Sequence, residues 1–379
     1  MSQGLLIGCD PASGNPLAVS YAEGRITSIT EGSPDARGFL SAGLVDLQVN
    51  GFAGYDLNAG GLTEATVSAL TRALTRSGVT TFVPTLITAP EKAIAAALAT
   101  IAAARRADPR VAHAVPYVHI EGPWLSPEDG PRGAHPKSEI RTPDLAEFDR
   151  WQDACGGLVG MVTLSPHWPN SAEIVRALVA QGIHVAIGHT EAEPGQVKDA
   201  IDAGARLSTH LGNGAAQLLP RHPNFIWTQL ADERLSASLI ADGHHLPADT
   251  FKVMLRAKGL SRAILVSDAT TLAGMPPGIY EQPIGGKVEL SADGRLSLIG
   301  TPYLAGAALP LSDMVARAAT MGGIDLDQAL ALATVNPGGF VGRRGRLEVG
   351  SDADLIRFDW TPGDLSLSID TVLVRGESA

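Results

Sequence analysis

The sequence predicts an α/β fold: a (β/α)8 TIM-type barrel that carries a small β-sandwich domain built from both chain ends. Three observations support this prediction. Strand and helix patterns alternate through the middle of the chain, short β-like segments occupy both ends, and polar side chains stand where the buried strand candidates end. At 379 residues the chain is long enough for one large barrel and a small additional domain.

Composition and charge narrow the range of functions. Hydrophobic residues make up 45% and charged residues 18%, which is typical of a globular chain with a sizeable core. The formal net charge of −11 argues against nucleic acid or an anionic membrane as the main partner. Cys9 and Cys155 do not amount to a disulfide framework. The N-terminal segment lacks the pattern of a signal peptide, and no run reaches ~18 apolar residues, so we expect a cytoplasmic protein.

Both ends of the chain predict β-strands rather than helices. Residues 5–8, 18–21 and 25–29 are short β-like pieces separated by turn dipeptides, and residues 353–358 and 369–376 have the same character. The two ends are therefore expected to meet in one discontinuous β-domain. Its predicted bounds are residues 1–42 and 344–379, and residues 43–343 form the predicted barrel domain.

The middle of the chain contains eight strand candidates, most of them followed by a helical pattern. The strands are predicted at residues 44–50, 80–87, 114–121, 159–165, 184–189, 207–210, 237–241 and 263–268. Helices are predicted at residues 62–77, 91–106, 145–155, 171–181, 194–203 and 248–258, with a short helix near 226–230. After the eighth strand we expect a hairpin at 286–298, turning at Asp293-Gly294, and then helices at 309–321 and 325–335.

Three strand ends carry side chains that bind metals. Glu121 ends the third strand candidate, His189 the fifth and His210 the sixth. In a barrel the carboxyl ends of the strands open into one mouth, so these groups are expected to converge. Two histidines and one carboxylate leave a fourth coordination position open, which is the arrangement of a catalytic metal site. The alternative is that each histidine bonds a backbone group and Glu121 pairs with an arginine.

Further polar groups stand on the last and first strands. Asp268 ends the eighth strand and is suited to act as general base and then general acid, unless it only caps the following turn. The first strand carries Gln48 and Asn50 where a His-x-His pair would supply two strong ligands. We therefore expect one divalent metal ion rather than two, with the two amides as neutral hydrogen-bonding groups.

These motifs together resemble the amidohydrolase superfamily and, within it, the N-acetylglucosamine-6-phosphate deacetylases. The resemblance runs through nearly the whole chain and includes Gln-x-Asn on the first strand. The motifs are AGLVDLQVNG at 42–51, HIEGPW at 119–124, GHT at 188–190, THLGN at 209–213, IADGHH at 240–245 and VSDA at 266–269.

The resemblance implies a role for each matching residue. Glu121, His189 and His210 match the ligands of a single metal, Asp268 matches the catalytic acid/base, and His245 matches a group at the reacting part of the sugar. From its chemistry, His245 is also the best candidate for the donor to the oxyanion. Arg221 matches a phosphate-binding arginine that can come from the neighbouring subunit of a dimer, although an exposed loop arginine is the alternative. The other expected substrate contacts are Ala134, His135, Asn213, Gly214, Leu304, Ala305 and Gly306.

The expected activity is hydrolysis of the N-acetyl amide of N-acetylglucosamine 6-phosphate to glucosamine 6-phosphate and acetate. The sequence departs from the family's pattern at residues 212–216 and 220–224. A deacetylase of another N-acyl sugar or amino compound without a 6-phosphate is therefore a second hypothesis. A catalytically silent sugar-phosphate-binding protein is a third. Zinc is the expected metal, with iron, cobalt and manganese as alternatives, and a homodimer is the expected assembly.

Overall fold

The barrel consists of eight parallel strands that hydrogen-bond in chain order. The computed structural model describes residues 3–282, 286–301 and 303–379, so a few residues of the predicted domains (1–2, 283–285 and 302) lie outside it. Val49 pairs with Ala269 across the remaining gap between the last and first strands, which nearly closes the sheet. The strands are β5 (Leu44–Val49), β8 (Val79–Ile87), β9 (Val118–Glu121), β10 (Val159–Leu164), β11 (His184–Ile187), β12 (Leu207–Ser208), β13 (Ser236–Leu239) and β14 (Ala263–Leu265).

The eight predicted strands are confirmed, and the fold class with them. The prediction for residues 114–121 was wrong in its first part, because Pro109–Ala114 forms a short helix and the strand begins only at Val118. The Asp108 side chain accepts a hydrogen bond from the Arg110 amide and caps this helix, and Pro109 suits its first turn. An Asp-Pro pair is thus the start signal that the strand prediction overlooked.

Helices cover the outside of the barrel between successive strands. The helix predicted at 325–335 is split into two short ones by a turn around residues 332–334. The helices are α1 (Glu64–Arg76), α2 (Glu91–Ala107), α3 (Pro109–Ala114), α4 (Leu145–Cys155), α5 (Ser171–Ala180), α6 (Pro194–Ala203), α7 (Phe225–Ala231), α8 (Ala248–Lys258), α9 (Leu311–Gly322), α10 (Leu326–Ala331) and α11 (Val335–Gly338), with a 3-10 turn at Lys137–Glu139.

The two chain ends join in a seven-stranded sheet outside the barrel. The strands are β1 (Gln3–Cys9), β2 (Pro16–Ala22), β3 (Arg25–Glu31), β4 (Phe39–Ala42), β18 (Leu355–Asp359), β19 (Ser368–Val374) and β20 (Glu377–Ser378). Their order in the sheet is β20-β19-β18-β4-β1-β2-β3, so strands from the C-terminal end lie beside strands from the N-terminal end. The domain bounds predicted from the sequence, residues 1–42 and 344–379, stay a prediction.

A small three-stranded sheet follows the barrel's last strand and stands beside the barrel mouth. It contains β15 (Gly278–Gln282), β16 (Gly286–Leu290) and β17 (Leu296–Leu298), and the hairpin predicted at 286–298 corresponds to the last two. A two-stranded ribbon, β6 (Gly51–Phe52) and β7 (Tyr55–Asp56), follows the first barrel strand. Among the described residues, no helix combines the length and the apolar character that crossing a membrane requires.

Candidate active site

Glu121, His189 and His210 meet at the carboxyl end of the barrel, as their positions at strand ends predicted. The His210 Nε2 atom lies 2.9 Å from Glu121 Oε1, and His189 Nε2 lies 3.3 Å from the same oxygen. The two Nε2 atoms are 3.1 Å apart. All three side chains are buried. The residues thus form one compact cluster of three ligand atoms.

The cluster fits a single divalent metal. A tetrahedral metal with bonds of ~2.1 Å places its ligand atoms roughly 3.4 Å apart, a little more than the 2.9–3.3 Å separations observed here. His189 Nδ1 lies 2.8 Å from the carbonyl oxygen of Pro131, and donating to it directs the lone pair of Nε2 into the cluster. Two nitrogens and one carboxylate are also the ligand types that zinc takes in catalytic sites.

The ligand atoms of this cluster also interact with one another when no cation is bound. Burial opposes ionisation of Glu121, but its interactions with His189 and His210 hold its pKa well below the usual range. Burial likewise opposes a charge on His210, yet its hydrogen bond to Glu121 raises its pKa to about 9. Protons and a divalent cation therefore compete for the same ligand atoms.

The amides of the first strand hold two carboxylates of the site. The Gln48 Nε2 group donates to Glu121 Oε1 at 2.9 Å, and the Asn50 Nδ2 group donates to Asp268 Oδ1 at 2.8 Å. The expectation of one metal rather than two stays a prediction. The amides orient the oxygens of the neighbouring strands.

Asp268 lies at the end of the last strand, deep in the barrel mouth. Burial raises its pKa to about 6, with the positive charge of His210 acting in the opposite direction. A carboxylate whose pKa lies near the working pH can both accept and return a proton. The structure thus gives Asp268 the environment of a general acid/base.

His245 is oriented by Asp242, a residue whose role the sequence did not reveal. His245 Nδ1 lies 2.6 Å from Asp242 Oδ2, and Asp242 Oδ1 accepts the backbone N–H groups of His244 and His245 at 2.8 Å each. Burial opposes ionisation of Asp242, but the hydrogen bonds from His245 keep its pKa low. The Asp-x-x-His spacing in the loop after β13 was the available signal for this pair.

His135 packs against the metal cluster as a neutral ring. Its Nδ1 lies 2.8 Å from Thr88 Oγ1, and its Nε2 lies 4.0 Å from Glu121 Oε2. The rings of His135 and His189 meet edge to face with 4.4 Å between their centroids. Burial, reinforced by the charge of His189, lowers the pKa of His135 to about 3, so the ring is uncharged at neutral pH.

A cleft of about 600 Å³ opens over these groups. Arg221 does not line it; that side chain is exposed on the loop before α7. Arg295, which follows the turn of the β16–β17 hairpin, does line it and was missed by the sequence reasoning, as was Tyr303. The predicted site residues in the cleft wall are Asn50, Glu121, Ala134, His135, His189, His210, Asn213, Gly214, His245, Asp268, Leu304, Ala305 and Gly306.

Three of the site residues have left-handed backbone conformations. His189, His210 and Asp268 have φ angles of 47°, 27° and 48°. Such conformations cost of order 1–3 kcal/mol each for residues other than glycine, and they concentrate at functional sites. Each one lies two or three residues beyond the end of its strand, and its side chain lines the cleft at the barrel mouth.

Comparison with known proteins places the chain in a family. A model of the "Amidohydrolase family" matches residues 39–379. The chain belongs to the amidohydrolase family.

Individual members of the amidohydrolase family match along most of their length. N-acetylglucosamine-6-phosphate deacetylase from Bos taurus is 34% identical over 356 residues, covering 89% of this chain and 82% of the relative. N-acetylgalactosamine-6-phosphate deacetylase from Escherichia coli O157:H7 is 31% identical over 363 residues, covering 93% and 90%. A solved mutant of the Mycobacterium smegmatis N-acetyl-D-glucosamine-6-phosphate deacetylase, in complex with N-acetyl-D-glucosamine-6-phosphate, is 29% identical. It superposes with a TM-score of 0.87 over 100% of this chain and 99% of its own.

Membership in the amidohydrolase family agrees with the chemistry of the cluster. The resemblance seen in the sequence motifs is confirmed. Like other members, the chain is a metal-dependent hydrolase of carbon–nitrogen bonds. The three candidate ligands at the strand ends, two histidines and one glutamate, are the part of the sequence from which this class could be inferred.

Proposed function

We propose that this protein hydrolyses the acetamide of N-acetylglucosamine 6-phosphate, releasing acetate and glucosamine 6-phosphate. The observation that carries the proposal is the buried cluster of Glu121, His189 and His210, in one cleft with Asp268. Relatives named for deacetylation of 6-phosphorylated N-acetyl sugars match this chain along most of its length. We assign zinc as the metal, because the ligand types and separations suit it.

Each residue has a defined task in this reaction. A divalent metal held by Glu121, His189 and His210 would polarise the carbonyl and lower the pKa of water. Asp268 accepts a proton from the water as its oxygen bonds to the acetyl carbon. Asp268 then delivers that proton to the nitrogen as the carbon–nitrogen bond breaks, so that the leaving group is a neutral amine.

His245 stabilises the negative charge that develops on the carbonyl oxygen. The contact between its Nδ1 and Asp242 Oδ2 fixes the ring plane and leaves Nε2 as the ring nitrogen available to the carbonyl oxygen. Asp242 is a positioning residue in this scheme, because it acts through His245. Gln48 keeps the carboxylate of Glu121 in its orientation by donating to Oε1.

The sequence departs from the family's pattern within residues 212–224, so it does not by itself identify the groups that bind the 6-phosphate. We assign two arginines to it. Arg295 lines the cleft of its own chain and is assigned to the phosphate bound there. Arg221 is exposed and outside that cleft, so it serves the neighbouring subunit's site in a homodimer. Their planar guanidinium groups suit a phosphate better than a hydroxyl.

A second candidate substrate is N-acetylgalactosamine 6-phosphate. The relative from Escherichia coli O157:H7 carries that name and covers more of this chain than the bovine one. The two sugars differ only at one ring hydroxyl, which the metal cluster does not distinguish.

The decisive experiment is acetate release from four sugars, N-acetylglucosamine and N-acetylgalactosamine with and without the 6-phosphate. We expect the highest kcat/KM on N-acetylglucosamine 6-phosphate. Arg295→Gln and Arg221→Gln should raise KM for the phosphorylated sugars and leave that for the unphosphorylated sugars unchanged, with exposed Arg256→Gln as the control. Equal kcat/KM with and without the phosphate would overturn the assignment, and metal analysis of the purified protein tests zinc.

A further inference from the structure

A second cavity lies at the opposite end of the barrel from the active-site cleft. It measures about 590 Å³ and is lined by residues at the amino ends of three barrel strands, among them Tyr117, Gly160 and His184. Its remaining polar lining comes from α2, from the segment after α11 and from the seven-stranded sheet. These groups are Arg25, Arg105, Arg344 and Asp352.

The lining of this cavity carries an excess of positive charge. Arg25 lies 3.4 Å from Asp352, the single carboxylate among the described lining residues. Arg344 donates to neutral oxygens, the Thr81 hydroxyl and the His113 carbonyl, and Arg105 makes no side-chain hydrogen bond or ion pair within the described parts of the chain. Burial lowers the pKa of His184, so its ring adds no charge. Two guanidinium charges are therefore left without a carboxylate.

Arg105 and Arg344 repel each other in a partly buried setting. Burial lowers the pKa of Arg105, and the charge of Arg344 lowers it further. The Arg105 Nε atom is buried with no hydrogen-bond partner in the described structure. Two like charges that line one cavity, one of them with an unmet donor, are relieved by an anion that bonds both.

We propose that this cavity is a binding site for a phosphate dianion, either free or as the end group of a monoester, held by Arg105 and Arg344. The two uncompensated positive charges match a dianion, and guanidinium groups bind phosphate oxygens in a bidentate manner. The site stands apart from the metal cluster and does not depend on the proposed deacetylase activity.

The test measures phosphate binding by isothermal titration calorimetry and thermal unfolding in phosphate and in chloride at equal ionic strength. The variants are Arg105→Gln, Arg105→Lys and Arg344→Gln. The control is Arg106→Gln, which removes an exposed neighbour on α2 outside the cavity. Inorganic phosphate and methyl phosphate are titrated separately, so that a site for the free ion is distinguished from one that accepts an ester.

We expect the protein to bind phosphate at this site. Arg105→Gln and Arg344→Gln should each lower the phosphate affinity by at least about tenfold, and the control should leave it unchanged. We also expect the order of melting temperatures of the protein and Arg105→Gln to reverse between chloride and phosphate. In chloride Arg105→Gln melts at or above the unsubstituted protein, because it removes the repulsion, whereas in phosphate it melts below it. Arg105→Lys keeps the charge and loses only part of the affinity. Identical phosphate binding by the protein and Arg105→Gln would overturn the proposal, as would stabilisation that chloride reproduces.

Discussion

In the proposed mechanism, Asp268 is the residue on which turnover depends most directly. Asp268→Asn keeps the shape and can still accept the hydrogen bond from Asn50, but it cannot take a proton from water. We expect kcat to fall by about 100- to 10,000-fold, the range for loss of a general acid/base. Metal content should be unchanged, because the three ligands are other residues. Acetate-release kinetics and metal analysis measure the two effects.

The outcome that contradicts this role is a kcat within a few-fold of the unsubstituted protein. Asp249→Asn on α8 removes another carboxylate outside the cleft, and it should leave both kcat and metal content as they are. If both substitutions reduced metal content, the loss of activity would reflect folding rather than proton transfer.

The raised pKa of Asp268 also predicts how activity depends on pH. The base must be ionised to work, and burial raises its pKa to about 6. We therefore expect kcat/KM to fall as pH drops through this value, by about tenfold per pH unit below it. A bound cation stabilises the ionised form and moves the fall to lower pH.

A phosphate monoester itself titrates near pH 6, so the substrate can produce a similar acid limb. The profile is therefore measured with N-acetylglucosamine, which lacks the phosphate. A flat kcat/KM on this substrate from pH 7 to pH 4 would contradict the assignment of Asp268 as the ionised base.

Single residues were predictable from the sequence where a strand fixes their position. Glu121, His189 and His210 follow directly from the rule that parallel strands end at one mouth. Asp242 and Arg295 were missed because both lie in loops, where hydrogen bonds across space rather than strand spacing decide which groups meet.

The strand ends are the elements that bring the metal ligands together, and a glycine beside them makes room. Gly214 has a φ of +57°, and a Cβ there would lie 2.6 Å from His189 Nδ1. Gly214→Ala should therefore displace His189 and break its bond to the Pro131 carbonyl. We expect metal affinity to fall by about 10- to 100-fold, as for loss of other groups that orient a ligand.

Chelator competition measures this affinity without relying on turnover. The matched control is Gly195→Ala on α6, where a Cβ meets no atom within 4 Å. That substitution should leave metal affinity unchanged and slightly increase the free energy of unfolding. Equal metal affinity in the two variants would show that His189 does not depend on the space at Gly214.

The type of each secondary-structure element was predicted better than its length. The eight strands of the barrel read clearly as apolar runs, but β12 is only two residues long. Its predicted end, residues 209–210, lies outside the strand, although the Thr209 N–H still donates to the Ile187 carbonyl, and regular strand geometry stops at His210, which takes a left-handed conformation. Strain at a site is set by the tertiary structure, and hydrophobic periodicity does not record it.

At the scale of the whole molecule, the proposed homodimer can be tested by subunit mixing. Asp268→Asn disables the base of its own subunit, and Arg221→Gln removes an arginine from the partner's site. A mixed dimer then holds one site with both residues intact. With random pairing, the mixed dimers of co-refolded or co-expressed variants should supply about a quarter of the normal kcat/KM on the phosphorylated sugar. Asp268→Asn alone should be nearly inactive, and Arg221→Gln alone should have a low kcat/KM because its KM is raised.

The mixing experiment has a matched control. In a mixture of Asp268→Asn with His245→Asn, each subunit carries a substitution in the site of its own chain. No mixed dimer then holds an intact site, so no activity should be recovered. No recovery in the first mixture, with dimers confirmed by light scattering, would place Arg221 in the cleft of its own chain or outside the site altogether.

The overall architecture could be inferred because the chain ends differ in periodicity from the middle. The pairing order could not. The seven-stranded sheet places β18 against β4, and these strands are separated by the whole barrel. Nothing local in either strand specifies that partner, since both read simply as short apolar segments.

That pairing has a consequence for synthesis. About 300 residues separate β4 from β18, so at roughly 5–20 residues per second the ribosome needs on the order of 15–60 s to deliver the missing neighbour. During that interval the outer edge of β4 presents unpaired backbone groups to other nascent chains. The order of translation thus makes the N-terminal strands the segment of this protein most in need of a chaperone while the barrel is being made.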